Sequence, residues 1–189
     1  MQQKNKFLFL CAAALAVVIF SCSKYKDPPS TGIDDRLKDK YCNDSRAVNY
    51  NWGFPGIPDN TVCIYPVDSF IGTWLFTDSM FLPNGDNVGV QLKTLTFSST
   101  EDKALTNMAV TGWCNNASPF YVTANKYSVA TVDTSAGGML GQFLCNNSDT
   151  LTGQIMFSLD SALKGTMLID FTIANAGGST NHRGRAVKQ

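Results

Sequence analysis

The chain has 189 residues, of which 16% are charged, with 15 Lys+Arg set against 15 Asp+Glu. That balance, with no basic stripe along the chain, excludes the electrostatic footprint of a nucleic-acid binder. Glu101 is the only Glu among the acids, and since Glu favours helices while Asp and Asn favour turns, the composition points to a sheet protein with many turns.

Lys4 and Lys6 precede an apolar run from Phe7 to Phe20 that is broken only by small residues and Cys11. A run of this length is too short to cross a hydrocarbon core of ~30 Å, so residues 1–21 read as a signal peptide. Its end, Ile19-Phe20-Ser21-Cys22, resembles the relaxed lipobox of bacterial lipoproteins, in which the signal peptidase cuts before a cysteine that then carries lipid. The resemblance implies a lipidated Cys22, a membrane partner through that anchor, and a place in the cell envelope at the outer membrane. The competing reading is an ordinary secretory leader with a spare cysteine. Parity favours lipid: with Cys11 lost and Cys22 acylated, Cys42, Cys63, Cys114 and Cys145 remain, an even number suited to two disulfides in an oxidising compartment. Removing Lys4 and Lys6 with the leader leaves 13 basic against 15 acidic side chains, a net of −2. None of the cysteine spacings is that of a zinc site, and His182 is the only histidine, so no metal or cofactor is expected. Residues 22–40, rich in charge with Pro28, Pro29 and Gly32, bury too little to fold and read as a flexible tether.

Residues 41–66 read YCNDSRAVNYNWGFPGIPDNTVCIYP. Cys42 and Cys63 bracket Asn43, Asp44, Asn49, Asn51, Asp59 and Asn60, punctuated by Pro55, Gly56 and Pro58, which is turn chemistry. A disulfide closing this loop contributes about 3 kcal/mol to a segment with little to bury. Through Cys42, Asp44, Ala47, Asn49, Tyr50, Asn51, Cys63 and Tyr65 the stretch resembles the short C-x-D-x-x-A-x-N-Y-N…C-x-Y modules of secreted and surface proteins of some bacteria, with PDNTVC where DDGSC is common. Asp44, Asn49, Asn51 and Asp59 are oxygen donors of the kind calcium takes, but the spacing is not an EF-hand. Asx-turns in a disulfide-closed loop that packs on the next domain are the expectation.

From Val67 the pattern becomes period-two alternation. In LKGTMLIDFTIA, Leu163, Met167, Ile169, Phe171 and Ile173 share one face, and in LTGQIMFSLD the same holds for Leu151, Ile155, Phe157 and Leu159. In VGVQLKTLTF the apolar parity shifts between Leu92 and Leu95, as a β-bulge would make it. GTWLFTD, LTNMAVTGW, NKYSVATV and GMLGQFLC are further strands, and SALKG is a candidate helical turn. Eight turn clusters separate them, so residues 67–189 are expected to be all-β: an antiparallel meander of about eight or nine strands forming a small barrel or sandwich.

FIGTWLFTDS carries Gly72 and Trp74 near its start. With the meander that follows and a late Arg, this resembles the lipocalin-like domains of bacterial lipoproteins. That resemblance implies that Trp74 closes one barrel end and that Arg183 or Arg185 packs across it. A second resemblance, resting on TLTF, GWCNN and the later Cys145, is to META-type envelope lipoprotein domains, with Trp113 in place of the usual Gly before Cys114. Cys42–Cys63 and Cys114–Cys145 are the expected pairs, each within one compositional unit.

Trp113, Phe120, Tyr121 and Tyr127 lie in or beside a charge-free run from Ala104 to Asn125, which suits either a ligand mouth or core packing. Catalysis is not expected: His182 follows GGSTN in what reads as a loop, and neither Asp160 with Asp170 nor Glu101 with Asp102 stands at a known catalytic spacing. The reading is a lipid-anchored, non-catalytic envelope protein whose barrel binds a small apolar or glycan ligand. The alternative is a structural or protein-binding accessory lipoprotein of an outer-membrane complex, with no ligand cavity.

Overall fold

A computed structural model describes residues 34–100, 105–115, 118–135, 141–145, 148–158 and 165–189. Cys22, the leader, the first part of the tether and most of SALKG lie outside the described residues.

The segment between Cys42 and Cys63 is the disulfide-closed module that the sequence implies. Two short strands, β1 (Lys40–Tyr41) and β2 (Ile57–Pro58), pair in parallel across it. Its polar side chains staple turns. The Asn49 amide donates to the Val62 carbonyl oxygen at 2.8 Å, and its oxygen accepts from the Ile64 N–H at 2.8 Å. The four oxygen donors weighed as calcium ligands are drawn to separate tasks: Asp44 holds Arg46 and the Tyr65 hydroxyl, Asp59 holds Lys40 and Thr61, and Asn51 takes a left-handed turn at φ 60°.

The Arg46 guanidinium, with the Arg46 N–H and the Tyr65 hydroxyl, holds the Asp44 carboxyl well below the usual carboxylate range. The Lys40 ammonium and Thr61 do the same for Asp59. Both folded values lie below the unfolded one, so their contribution is complete above about pH 4 to 5 and fades as pH falls through the folded values. Hydrogen-exchange protection of the Ile64 amide is therefore expected to be flat from pH 8 to 5 and to fall below about pH 4. Protection unchanged down to about pH 2 refutes the assignment.

Beyond the module, a 3-10 turn, Pro66–Ser69, leads the chain into the barrel and buries Val67 and Phe70. Strands β3 (Gly72–Phe81), β4 (Asn87–Ser99), β5 (Asn107–Thr111), β6 (Phe120–Ala124) and β7 (Val129–Val132) follow as antiparallel neighbours. The two-residue β8 (Gln142–Phe143) lies on the edge of β9 (Thr150–Phe157), which also takes β7. Then β10 (Thr166–Asn175) pairs with β9, β11 (Gly178–Lys188) pairs with β10, and β11 meets β3. The circuit closes: eight strands make an antiparallel barrel, with β8 as an extra strand.

Alternation puts every second side chain inside. Trp74, Phe76, Leu95, Phe97, Met108, Val110, Phe120, Val122, Leu151, Ile155, Met167, Ile169 and Phe171 form one buried core, in line with the faces read from LTGQIMFSLD and LKGTMLIDFTIA, of which Leu159 and Leu163 lie outside the described residues. The barrel is uneven. Strands β3, β4, β10 and β11 have 10, 13, 10 and 11 residues, while β5, β6 and β7 have 5, 5 and 4. One wall therefore rises above the other.

One expectation is corrected here. No bulge separates Leu92 from Leu95: the β3–β4 register runs unbroken from Gly72↔Phe97 to Met80↔Gly89, and the irregularity lies at Met80/Phe81. Leu95 and Phe97 point inward, whereas Leu92, on the other parity, points outward with Val90 and Val88. Strand β6 has no counterpart among the expected elements, and β11 answers only to the last strand, carrying Arg183 and Arg185, that the lipocalin-like resemblance implies.

Candidate functional site

The two barrel ends differ chemically. At the lower end Trp74 is fully buried and its indole N–H donates to the Phe70 carbonyl oxygen at 2.7 Å. Phe157 packs edge-on against both Trp74 and Phe70. Trp74 is thus held at this end between the chain before β3 and the end of β9. The cation across it is Lys188, with Nζ 5.4 Å from the ring centroid. Arg183 and Arg185 do not take that place, because β11 turns His182, Gly184 and Ala186 inward and leaves both arginines exposed. They line a shallow outer groove of about 600 Å³ with Thr77, Ser79 and Leu168, where Arg183 Nε donates to Asp170 at 3.0 Å.

The upper end is built from the loop after β5. Gly112 adopts φ 92°, and a Cβ there would lie 1.9 Å from the Thr94 carbonyl oxygen, so only glycine lets the chain cross β4 this closely. The next residue, Trp113, enters the barrel. Its ring stacks on Phe76 at 6.2 Å and meets Phe120, Phe171 and His182 edge-on at 6.3, 5.6 and 5.3 Å. Cys114 is then bonded to Cys145, which fixes the loop to the chain beyond β8. Trp113 fills the barrel interior as a plug.

Above the plug the tall wall turns polar side chains inward. Asp78 is fully buried, with both carboxylate oxygens at 3.1 and 2.9 Å from His182 Nδ1, and it accepts from Gln91 Nε2 at 3.0 Å. Lys93 Nζ sits 4.8 Å from the centre of the Trp113 ring. With Nδ1 engaged, Nε2 is the His182 nitrogen left without a hydrogen-bond partner among the described residues. This Asp–His pair escapes a reading of the sequence because GGSTNH reads as a loop. The parity of β3, with Trp74, Phe76 and Asp78 two apart, does place Asp78 inside. Asp78→Ala strands the Gln91 and His182 donors, and a loss of about 1 to 3 kcal/mol in urea unfolding is expected; no loss means water already serves those groups.

The four aromatics proposed for a ligand mouth do not converge. Trp113 and Phe120 belong to the core, Tyr121 lies exposed on the outer face of β6, and Tyr127 is exposed at the opposite, lower end. Gln142, which the sequence did not single out, holds the wall beside Tyr121. Its side-chain oxygen accepts from the Tyr121 N–H at 2.6 Å, and its amide donates to the Tyr121 and Asp133 carbonyl oxygens, standing in for a strand where β7 has ended. Among the described residues no three metal-ligating side chains gather.

The outer surface of β4 is the other candidate. Val88, Val90 and Leu92 are 50%, 61% and 66% exposed, while Gly89, Gln91 and Lys93 face inward. Strand β5 covers β4 only from Thr96 to Ser99, so the edge from Asn87 to Lys93 has no strand partner among the described residues. No protein-family model, curated protein or solved structure matches the chain.

Proposed function

We propose that this chain is a lipid-anchored, non-catalytic protein of the bacterial envelope whose lipocalin-like barrel docks a protein partner. The observation that carries the reading is the inversion of β4. A barrel folding only for its own stability gains by turning Val88, Val90 and Leu92 inward, at about 1.5 to 3 kcal/mol each; here they face outward beside a strand edge that has no partner among the described residues. A partner strand added there satisfies the edge and covers the three side chains. The pairing of all four downstream cysteines within the chain supports the assignment of Cys22 to lipid. The closed eight-stranded meander, with Trp74 held at one end, supports the lipocalin-like resemblance.

In detergent extracts of the envelope the chain is expected to run in a complex of fixed stoichiometry. Val90→Lys with Leu92→Lys is expected to dissolve that complex and leave the thermal midpoint within a few degrees, since both side chains are exposed. A wild-type chain that extracts as a monomer, or a complex that survives both substitutions, overturns the reading.

The second reading, a small apolar or glycan ligand, is favoured by Lys93 and His182 Nε2 above the Trp113 plug. It requires a small molecule that stays with the purified protein in native mass spectrometry and is lost in Lys93→Ala.

A further inference from the structure

The disulfide module carries a second exposed apolar surface. Within the eight residues from Tyr50 to Ile57, Tyr50, Trp52, Phe54 and Ile57 all reach solvent, Trp52 at 67% and Phe54 at 65%. A loop that leaves four large apolar side chains in solvent has another phase to place them in. The loop lies at the lower end of the barrel. Tyr65 packs against the core there and its hydroxyl donates to Asp44, while Lys126, in the β6–β7 turn, donates to the Ser45 carbonyl oxygen. That turn adds Tyr127, the next residue, at 84% exposure.

We propose that this lower end rests on the lipid bilayer, with Tyr50, Trp52, Phe54 and Ile57 in the headgroup region. The inference rests on the reading of Cys22 as the lipid anchor. Three observations select the bilayer as the occupant. First, the chain from Cys22 enters at this surface: Lys40 pairs with Ile57, and the Tyr41 ring lies 5.8 Å from that of Phe54. Only eleven residues separate Cys22 from Asp34, which holds the module within about 40 Å of the anchor even when taut and nearer 20 Å on average. Second, the composition is that of a membrane interface, where Trp and Tyr set an apolar ring against lipid and keep a polar atom in water. Third, the cations of the segment itself call for no acidic partner: among the described residues Arg36, Lys38, Lys40 and Arg46 are each paired with one of its carboxylates, and Lys126 beside it is held by the Ser45 carbonyl oxygen. Zwitterionic lipid therefore suffices. A patch of this size binds a bilayer only weakly alone, but tethering makes the contact intramolecular, and one anchor plus one surface contact is a stable combination. The consequence is an orientation. Trp74 and the module face the membrane, while the upper end, with the Asp78–His182 pair and the open edge of β4, faces away from it.

Trp52 is the only exposed tryptophan, Trp74 and Trp113 being buried, so it reports its own surroundings. The full acylated chain is incorporated into phosphatidylcholine vesicles with and without bromine at carbons 6 and 7 of one acyl chain, and flotation and tryptophan fluorescence are read together. The expected result is co-flotation with loss of most of the Trp52 emission in brominated vesicles, and in Trp52→Phe a chain that floats with no brominated-lipid quenching. Flotation with equal emission in both vesicles overturns the orientation and leaves the anchor standing. Shielding of Trp52 from acrylamide in native membranes without quenching in brominated vesicles assigns the patch to a protein or glycan and also overturns it. A chain that does not float overturns the anchor, and this inference with it.

Discussion

Trp113→Ala is expected to lower the free energy of unfolding by about 3 to 5 kcal/mol, the cost of emptying a large aromatic site that its surroundings cannot refill. The ring is 8% exposed and touches Phe76, Phe171 and His182 from the adjacent strands β3, β10 and β11 and Phe120 from β6 across the barrel. No single strand can move in to close that space without breaking register with its neighbours. Tyr121→Ala and Tyr127→Ala remove exposed rings and are expected to stay within about 0.5 to 1 kcal/mol of wild type. Urea unfolding of the three variants makes the comparison. A Trp113→Ala loss below about 1 kcal/mol means that the ring is no plug, and it returns Trp113 to the candidates for a ligand mouth.

The same ring explains why parts of the barrel are hard to read from sequence. Strand β10 is legible because Met167, Ile169 and Phe171 alternate with Leu168, Asp170 and Thr172, and only one parity carries the bulk of the apolar volume. In β11 the inward positions are His182, Gly184 and Ala186: Trp113 and Phe76 already fill the space there, so a small or polar residue faces them and the alternation disappears from the sequence. A Cβ at Gly184 would come within 1.8 Å of the Thr77 carbonyl oxygen, which shows how close β11 and β3 run at that point. Strand β6 is hidden for a different reason. Its five residues sit in a charge-free stretch where outward Tyr121 is as apolar to the eye as inward Phe120 and Val122.

On β4 the pattern itself misleads, because Val88, Val90 and Leu92 are apolar and still face outward, against the usual inference that apolar means inside. The fold class and the two disulfides are visible, since each depends on local chemistry or on parity. The Asp78–His182 pair is not, because it joins residues 104 positions apart, and nothing local to His182 marks it as inward.

Cys22→Ser is expected to move the protein from the membrane pellet to the soluble fraction. Each buried methylene of an acyl chain contributes about 0.8 kcal/mol and two chains already anchor stably, so loss of the thiol removes most of what holds the chain to the bilayer. Nothing among the described residues replaces it. No helix there is long and apolar enough to cross a membrane. The barrel wall carries Asp170, Arg183 and Arg185 at mid-strand on its outer face, where a membrane-spanning strand needs an apolar band. The test is cleanest with the Cys22→Ser chain placed behind a leader that has a small-x-small cleavage site, so that the run from Phe7 to Phe20 is removed on export. A carbonate wash then strips any residual surface contact through the exposed Trp52 and Phe54. The wild-type chain is expected to stay in the washed pellet and the variant to leave it. A variant that remains there has an attachment other than lipid at Cys22, and the anchor and the orientation that rests on it fall with it.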